Sequence, residues 1–415
     1  MKYVIIGNSA AGIGCAEGIR KADKTGEIVI FSKEKQHTYS RPLISYLLEG
    51  KTTREKMKYR PANFYTRNKI LFRPGTEIVR IDPETKTVVT KKGESVSYDK
   101  LMIAAGSKPF LPPMEGIEKV KNRFSFMSLD DAEKLEKKLT PESRVLIVGA
   151  GLIGLKCAEG IAKRVAKITV VDLADRVLPS ILDRKASAVI EKHLRGQKIE
   201  LILSDSVDLF TAKTAKLKSG KEIRFDLLVT AVGVRPNTEQ ASAAGIAVER
   251  GIVTDFHMQT SLPDIYAAGD CTESFDVSSG TRRILALLPN AYMQGECAGL
   301  NMAGKETVFD KAVPMNSMGL FGLHMVTAGS YEGECYAKRT EDGYRALYYK
   351  DNCLKGFILI GDIRAAGIYT AMIREKTPLD SLDFDLMKKN PRLIAFSKDD
   401  RQQKINTRFY CSGKA

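Results

Sequence analysis

The chain has 415 residues, 43% of them hydrophobic, and its 65 lysines and arginines exceed its 50 acids to leave a formal net charge of +15. That length and apolar content support roughly two or three domains with sizeable cores. No apolar run reaches bilayer-spanning length and the first strand starts too early for a signal peptide, so a cytoplasmic protein without a membrane span is expected. Seven cysteines in neither a C-x-x-C nor a metal-ligand spacing, with only four histidines, give a metal site little to build on and read as buried or unpaired thiols.

The first element is an apolar β-branched run at 4–6 that closes on a glycine turn, Gly7-Asn8-Ser9-Ala10-Ala11-Gly12. A turn of this kind brings backbone N–H groups up to a pyrophosphate at the positive end of the next helix, where a side chain would block the approach. A small-residue helix pattern follows, then the strand EIVIFS and Glu34. Glu34 lies near the place, about 20 residues past the turn, where a carboxylate hydrogen-bonds an adenosine ribose. Ser32 holds the strand-end position itself, and a solvated charge is the alternative for Glu34. KLMIAAG is the next strand, and the proline-rich KPFLPPMEG at 108–116 crosses into a second unit.

There RVLIVG leads into a second turn, Gly149-Ala150-Gly151-Leu152-Ile153-Gly154, and KITVVD ends in Asp172, again at ribose spacing. Two such turns mean two dinucleotides in one polypeptide. IELILSD and LLVTAVG complete the second unit, VRPN at 234–237 crosses back, and DIYAAGD adds a strand to the first. Strands alternating with helices predict an α/β fold, with parallel sheets covered on both faces and the second nucleotide unit inserted in the first. After about residue 311 a shorter α+β segment follows, with strands YRALYY and LKGFILIG. From about residue 380 the chain is charged and poorly periodic, an interaction tail or a partly disordered end. The net charge has three readings: a solvated surface, attraction to an acidic protein partner, or nucleic acid, for which no binding motif is present.

Further motifs occur in a telling order. LMIAAGSKP at 101–109 and LLVTAVGVRPN at 227–237 look like strand ends where a glycine lets the chain pass close to a cofactor. TSLPDIYAAGDC at 260–271 and LLPNAYMQGECAGLNMAG at 287–304 follow in order. With the two turns, they make residues 1–379 resemble the flavin-dependent pyridine nucleotide-disulfide oxidoreductases. TYSRPLISYLLEGK at 38–51 and GFILIGDIRAAGIYTAMIREKTPL at 356–379 are similar to the rubredoxin reductase and nitrite-reductase-like branch. The resemblance implies two Rossmann-like domains: an FAD-binding one over 1–110 and 236–310, and an NAD-binding one over 111–235 inserted in it. It also implies an α+β interface domain over 311–380, compatible with a homodimer or with docking onto a larger complex, and leaves 381–415 as a charged tail.

The same resemblance assigns site residues. Gly7, Ser9 and Gly12 would hold the FAD pyrophosphate, Arg41 the flavin phosphates through parallel guanidinium bonds, and Asp270 the ribityl hydroxyls. Gly149, Gly151 and Gly154 would hold NADH, with Ile153 near the nicotinamide. Asp172 would favour NADH over NADPH, because a 2′-phosphate would meet its carboxylate. Ala10, Ala11, Glu34, Lys35, Pro42 and Ile78 complete the cofactor-binding set together with Ala105, Gly106, Asn290, Leu152 and Gly233. Lys156 stands where the disulfide-reductase branch has a glutamate; it pairs with Glu159, polarises the flavin, or is structural.

The chain departs from the peroxidase, oxidase and coenzyme A-disulfide reductase branch at two places. Ala10 replaces that branch's histidine and Pro42 its redox cysteine, and no cysteine lies between Cys15 and Cys157. Without a thiolate that chemistry has no nucleophile. Electron transfer from NADH through FAD to an acidic, iron-containing one-electron carrier is then expected, with rubredoxin, a ferredoxin-like protein or an iron-sulfur subunit as acceptor. An NADH oxidase or coenzyme A-disulfide reductase-like enzyme, and a basic binding flavoprotein of the apoptosis-inducing-factor type, are the alternatives.

Overall fold

β-Branched and aliphatic runs buried on both sides build two five-stranded parallel sheets. The computed structural model describes residues 1–340, 343–399 and 401–402. In the first sheet Lys2–Ile6 is central, with Glu27–Phe31 and then Ile70–Arg73 to one side and Lys100–Ile103 and then Ile265–Ala267 to the other. In the second Arg144–Val148 is central, between Lys167–Val171 and Leu227–Thr230, with Glu200–Ile202 and Arg123–Phe124 at the edges. In both, the chain reverses direction of travel across the sheet at the carboxyl end of the central strand, the crevice where open α/β sheets bind ligands. Gly7 and Gly149 stand at those two points.

Every strand expected in the two nucleotide units is present, and two edge strands add to them. Ile70–Arg73 and the two-residue Arg123–Phe124 carry no alternating pattern and take their form from pairing to a neighbour. The two crossings are themselves joined: Ser107–Pro109 and Val234–Pro236 form an antiparallel pair, with Arg235 opposite Lys108.

The small-residue pattern after the first turn is explained by a helix crossing. Ala10–Ala22 packs on Leu288–Met302 so closely that a Cβ on Gly18 would lie 2.4 Å from the Glu296 carbonyl oxygen. A Cβ on Gly299 would lie 2.1 Å from that of Cys15.

A second compact unit is formed by residues 276–281 with the chain from Val313 onward. Its five-stranded antiparallel sheet runs Met315–Leu320, Leu323–Gly329, Cys353–Ile360, Gly343–Lys350, Glu334–Thr340 in spatial order. Helix Ala366–Glu375 covers it, burying Tyr369, Met372 and Ile373 against Phe357 and Leu359. The stretch set apart as a charged tail differs from expectation as far as Phe396. Helix Phe384–Lys389 buries Met387 in this core, Tyr369 donates to the Met387 carbonyl at 2.9 Å, and Phe396 is buried beside them. Single apolar residues spaced among lysines suffice once the sheet offers a face to cover. Residues 403–415 of that stretch lie outside the described residues.

Candidate functional site

The two glycine turns repeat one geometry. Gly7 has φ +119° and a Cβ there would meet the Ala104 carbonyl oxygen at 2.1 Å; Gly149 has φ +115° and a Cβ would meet that of Ala231 at 2.3 Å. Both positions exclude a side chain by conformation and by space. The last glycine of each turn folds back on the first, since a Cβ on Gly12 or Gly154 would lie 2.0 Å from the Gly7 or Gly149 carbonyl oxygen. Each helix then starts without a side-chain cap or an acid in its first turn, so its leading N–H groups are available to an anion. A Cβ on Gly151 would meet nothing within 4 Å, which leaves open ground above the second helix end.

Asp172 is fastened to the second turn. One carboxylate oxygen accepts from Ala150 N at 2.5 Å and the other from Ala174 N at 2.8 Å, which fixes the side chain at the strand end. Leu152 and Ile153 are half-buried in the first turn of the helix that follows. Lys156, one turn further, pairs with Glu159 and lies 4.3 Å from the centre of the Tyr46 ring.

Around the first turn the structure joins residues that were assigned separately. The Arg41 guanidinium pairs with the Glu34 carboxylate and donates to the Met127 carbonyl at 3.2 Å, while Tyr39 donates to Glu34 at 2.7 Å. Lys35 and Pro42 are exposed on the same loop. Tyr65 donates to Asn8 of the turn at 2.8 Å and accepts from Thr38 N at 3.2 Å. In this loop Gln36 Oε1, His37 Nε2 and Thr38 Oγ1 are buried with no hydrogen-bond partner. Such orphaned atoms fit a polar group lying against the loop. Ile78 sends its side chain into the core with Val4, Val29 and Val88, which leaves only its backbone to face a ligand.

Asp270 is half-buried and accepts from the Ser107 hydroxyl at 3.1 Å. Burial pushes its carboxyl up, with the Ser107 hydrogen bond and the charge of Arg41 pulling the other way. Its neighbour Gly269 donates N–H to Gln294 Oε1 at 2.8 Å, and Gln294 also bonds Ser274. Asn290, 2% exposed, sits one turn earlier on the same helix. Gly106 and Gly233 have positive φ and open space where a Cβ would stand; Asn237 Nδ2 donates to the Ala105 carbonyl at 2.8 Å between them. Ser107 and Gln294 were missed by sequence reasoning. The signal for Ser107 was its place directly after the glycine of AAGSKP; nothing local marks Gln294.

The interior thiols are unsuited to attack. Cys15, Cys157 and Cys271 are completely buried and burial pushes each thiol up, Cys271 to about 11; Cys297 is pushed up to about 12 by the same cause. Among the described residues no group of three His, Cys, Asp or Glu side chains could hold a metal ion, and no helix is long and apolar enough to cross a membrane.

The model of the pyridine nucleotide-disulphide oxidoreductase family matches residues 1–295. The NADH-dependent phenylglyoxylate dehydrogenase subunit epsilon of Aromatoleum evansii is 30% identical over 394 residues, 92% of this chain and 93% of that protein. The NADH-rubredoxin oxidoreductase of Clostridium acetobutylicum is 28% identical over 369 residues, 87% of this chain and 91% of that one. The solved covalent putidaredoxin reductase–putidaredoxin complex matches with TM-score 0.88 and 24% identity, over 98% of this chain and 99% of that chain, a likeness of fold.

Proposed function

Because the chain belongs to the pyridine nucleotide-disulphide oxidoreductase family and is an NADH-dependent flavoprotein oxidoreductase, we propose that its first glycine turn holds FAD, its second holds NADH, and its electrons go to an iron-containing one-electron acceptor. FAD, when bound, supplies the conversion between the two-electron donor and such a centre. Gly7, Ser9 and Gly12 leave room for the FAD pyrophosphate at the helix end, Arg41 neutralises phosphate charge, and Asp270 with Ser107 accepts and donates toward the ribityl hydroxyls. Gly149, Gly151 and Gly154 do the same for NADH, with Asp172 on the adenosine ribose.

The observation that carries the acceptor class is the state of the sulfur. Proline at position 42, where the resemblance puts a redox cysteine, offers no sulfur, and Cys15, Cys157, Cys271 and Cys297 are buried with their ionisation suppressed, so none of these four is suited to attack a disulfide or peroxide. The name of the Clostridium acetobutylicum relative supports rubredoxin as one such acceptor, and the name of the Aromatoleum evansii relative, a subunit of a dehydrogenase, supports another subunit of a larger complex as the alternative. The net charge of +15 suits an acidic partner in either case.

An anaerobic assay with NADH and a panel of rubredoxins and ferredoxins tests the reading. Carrier reduction that survives thiol alkylation is expected. Fast NADH consumption in air without any carrier, or loss of turnover on alkylation, overturns it.

A further inference from the structure

Helix Leu152–Ile161, which opens at the second glycine turn, lies across the short helix Ile44–Leu48, which runs straight on from the 3-10 turn Arg41–Leu43. The approach is close: a Cβ on Gly160 would sit 2.9 Å from the Ser45 carbonyl oxygen. Past the helix end Arg164 donates to the Leu48 carbonyl at 3.2 Å and Lys163 reaches Glu49 at 3.5 Å. At the other end of this seam the Lys156 ammonium stands over the Tyr46 ring, 4.3 Å from its centre, and pairs with Glu159. The two paired side chains are 17% and 3% exposed, and Lys51 flanks the same ring at 5.9 Å.

Holding an ammonium and a carboxylate this far from water is costly unless each replaces the other's hydration, with the aromatic face supplying the rest. An apolar side chain at 156 would join the two helices more cheaply. What the cation adds is direction, since it stands with the Tyr46 ring on one side and pairs with Glu159 on the other. We propose that Lys156 is a positioning residue for hydride transfer: clamped between Tyr46 and Glu159, it fixes where the NADH-turn helix stands against the helix that follows Arg41. This rests on assigning NADH to the second turn and FAD to the first; the first of these assignments is tested separately by Asp172→Ala. It is independent of the electron acceptor, because the test uses NADH alone.

The full-length FAD-loaded protein is compared with Lys156→Met, Lys156→Arg, Tyr46→Leu and Tyr46→Phe. Anaerobic stopped-flow yields the rate constant of flavin reduction and the Kd for NADH, and amide hydrogen exchange over 44–48 is followed without NADH. Lys156→Met and Tyr46→Leu are each expected to slow reduction about tenfold while changing Kd less than about twofold. The double variant should be no slower than either single one, because both remove the same contact. Exchange over 44–48 should quicken in both, whereas Tyr46→Phe, which keeps the ring, and Lys156→Arg, which keeps the cation, should stay near the parent. Reduction in Lys156→Met at the parent rate, a Tyr46→Phe as slow as Tyr46→Leu, or a loss seen in Kd alone overturns the proposal. Should Lys156→Met fail to fold, the two Tyr46 variants decide it.

Discussion

The Arg41 guanidinium and the Glu34 carboxylate, seven positions apart, are ion-paired, and the Tyr39 hydroxyl donates to the same carboxylate at 2.7 Å. This arrangement orients a planar five-donor group before any ligand arrives. A lysine would keep the charge and lose the fork. Arg41→Lys is therefore expected to weaken FAD retention about tenfold, read by fluorescence titration of the apoprotein with FAD. Unchanged affinity would remove Arg41 from phosphate binding.

Asp172 holds the second turn through one carboxylate oxygen, on Ala150 N, and the chain just past its own strand through the other, on Ala174 N, so its removal should act on the nucleotide preference and on the shape of the turn. Asp172→Ala is expected to narrow the ratio of kcat/KM for NADH over NADPH by about tenfold, since it removes both a ribose partner and a repulsion against a 2′-phosphate. A constant ratio would exclude the role.

At the crossing of Ala10–Ala22 with Leu288–Met302, Gly18→Ala or Gly299→Ala drives a methyl group into opposing backbone. Each should cost about 1–3 kcal/mol, measured by urea denaturation. Gly367→Ala lies in a helix with nothing within 4 Å of the new carbon, and should gain up to about 1 kcal/mol.

Burial raises the Asp270 carboxyl above the ordinary 3.8. The native chain then binds more protons than the unfolded one at pH values above about 3.8, so stability declines as pH climbs through the interval up to the raised value, and the penalty is absent below it. In the cofactor-free protein Asp270→Asn should remove that slope and raise the melting temperature at neutral pH, while FAD retention falls. A parent and variant with parallel pH profiles of melting would contradict this.

Reduction of an acidic carrier should slow steeply between about 0.01 and 0.5 M salt, as the Debye length contracts to a few ångströms. A rate flat across that range would remove charge from the recognition.

The two parallel sheets and both turns were legible because period, apolar run and glycine spacing are local properties. Ser107 and Gln294 were not, because their meaning comes from partners far along the chain, Asp270 in one case and Gly269 in the other. Glu34 and Arg41 each stand out in the sequence separately, and nothing local marks them as partners of one another. The packing of Met387 and Phe396 escaped notice for a different reason: each is a lone apolar residue in a basic stretch, and only the sheet beneath gives it a place to go.

Ser107–Pro109 and Val234–Pro236 run side by side, the Phe110 amide donates to the Gly233 carbonyl at 2.9 Å, and Arg235 stacks over the Phe110 ring. The stretch between them thus leaves and rejoins its host through a single doorway. A graft cut at that doorway would exchange the whole second parallel sheet with its glycine turn as a cassette, leaving the host's own strand order uninterrupted.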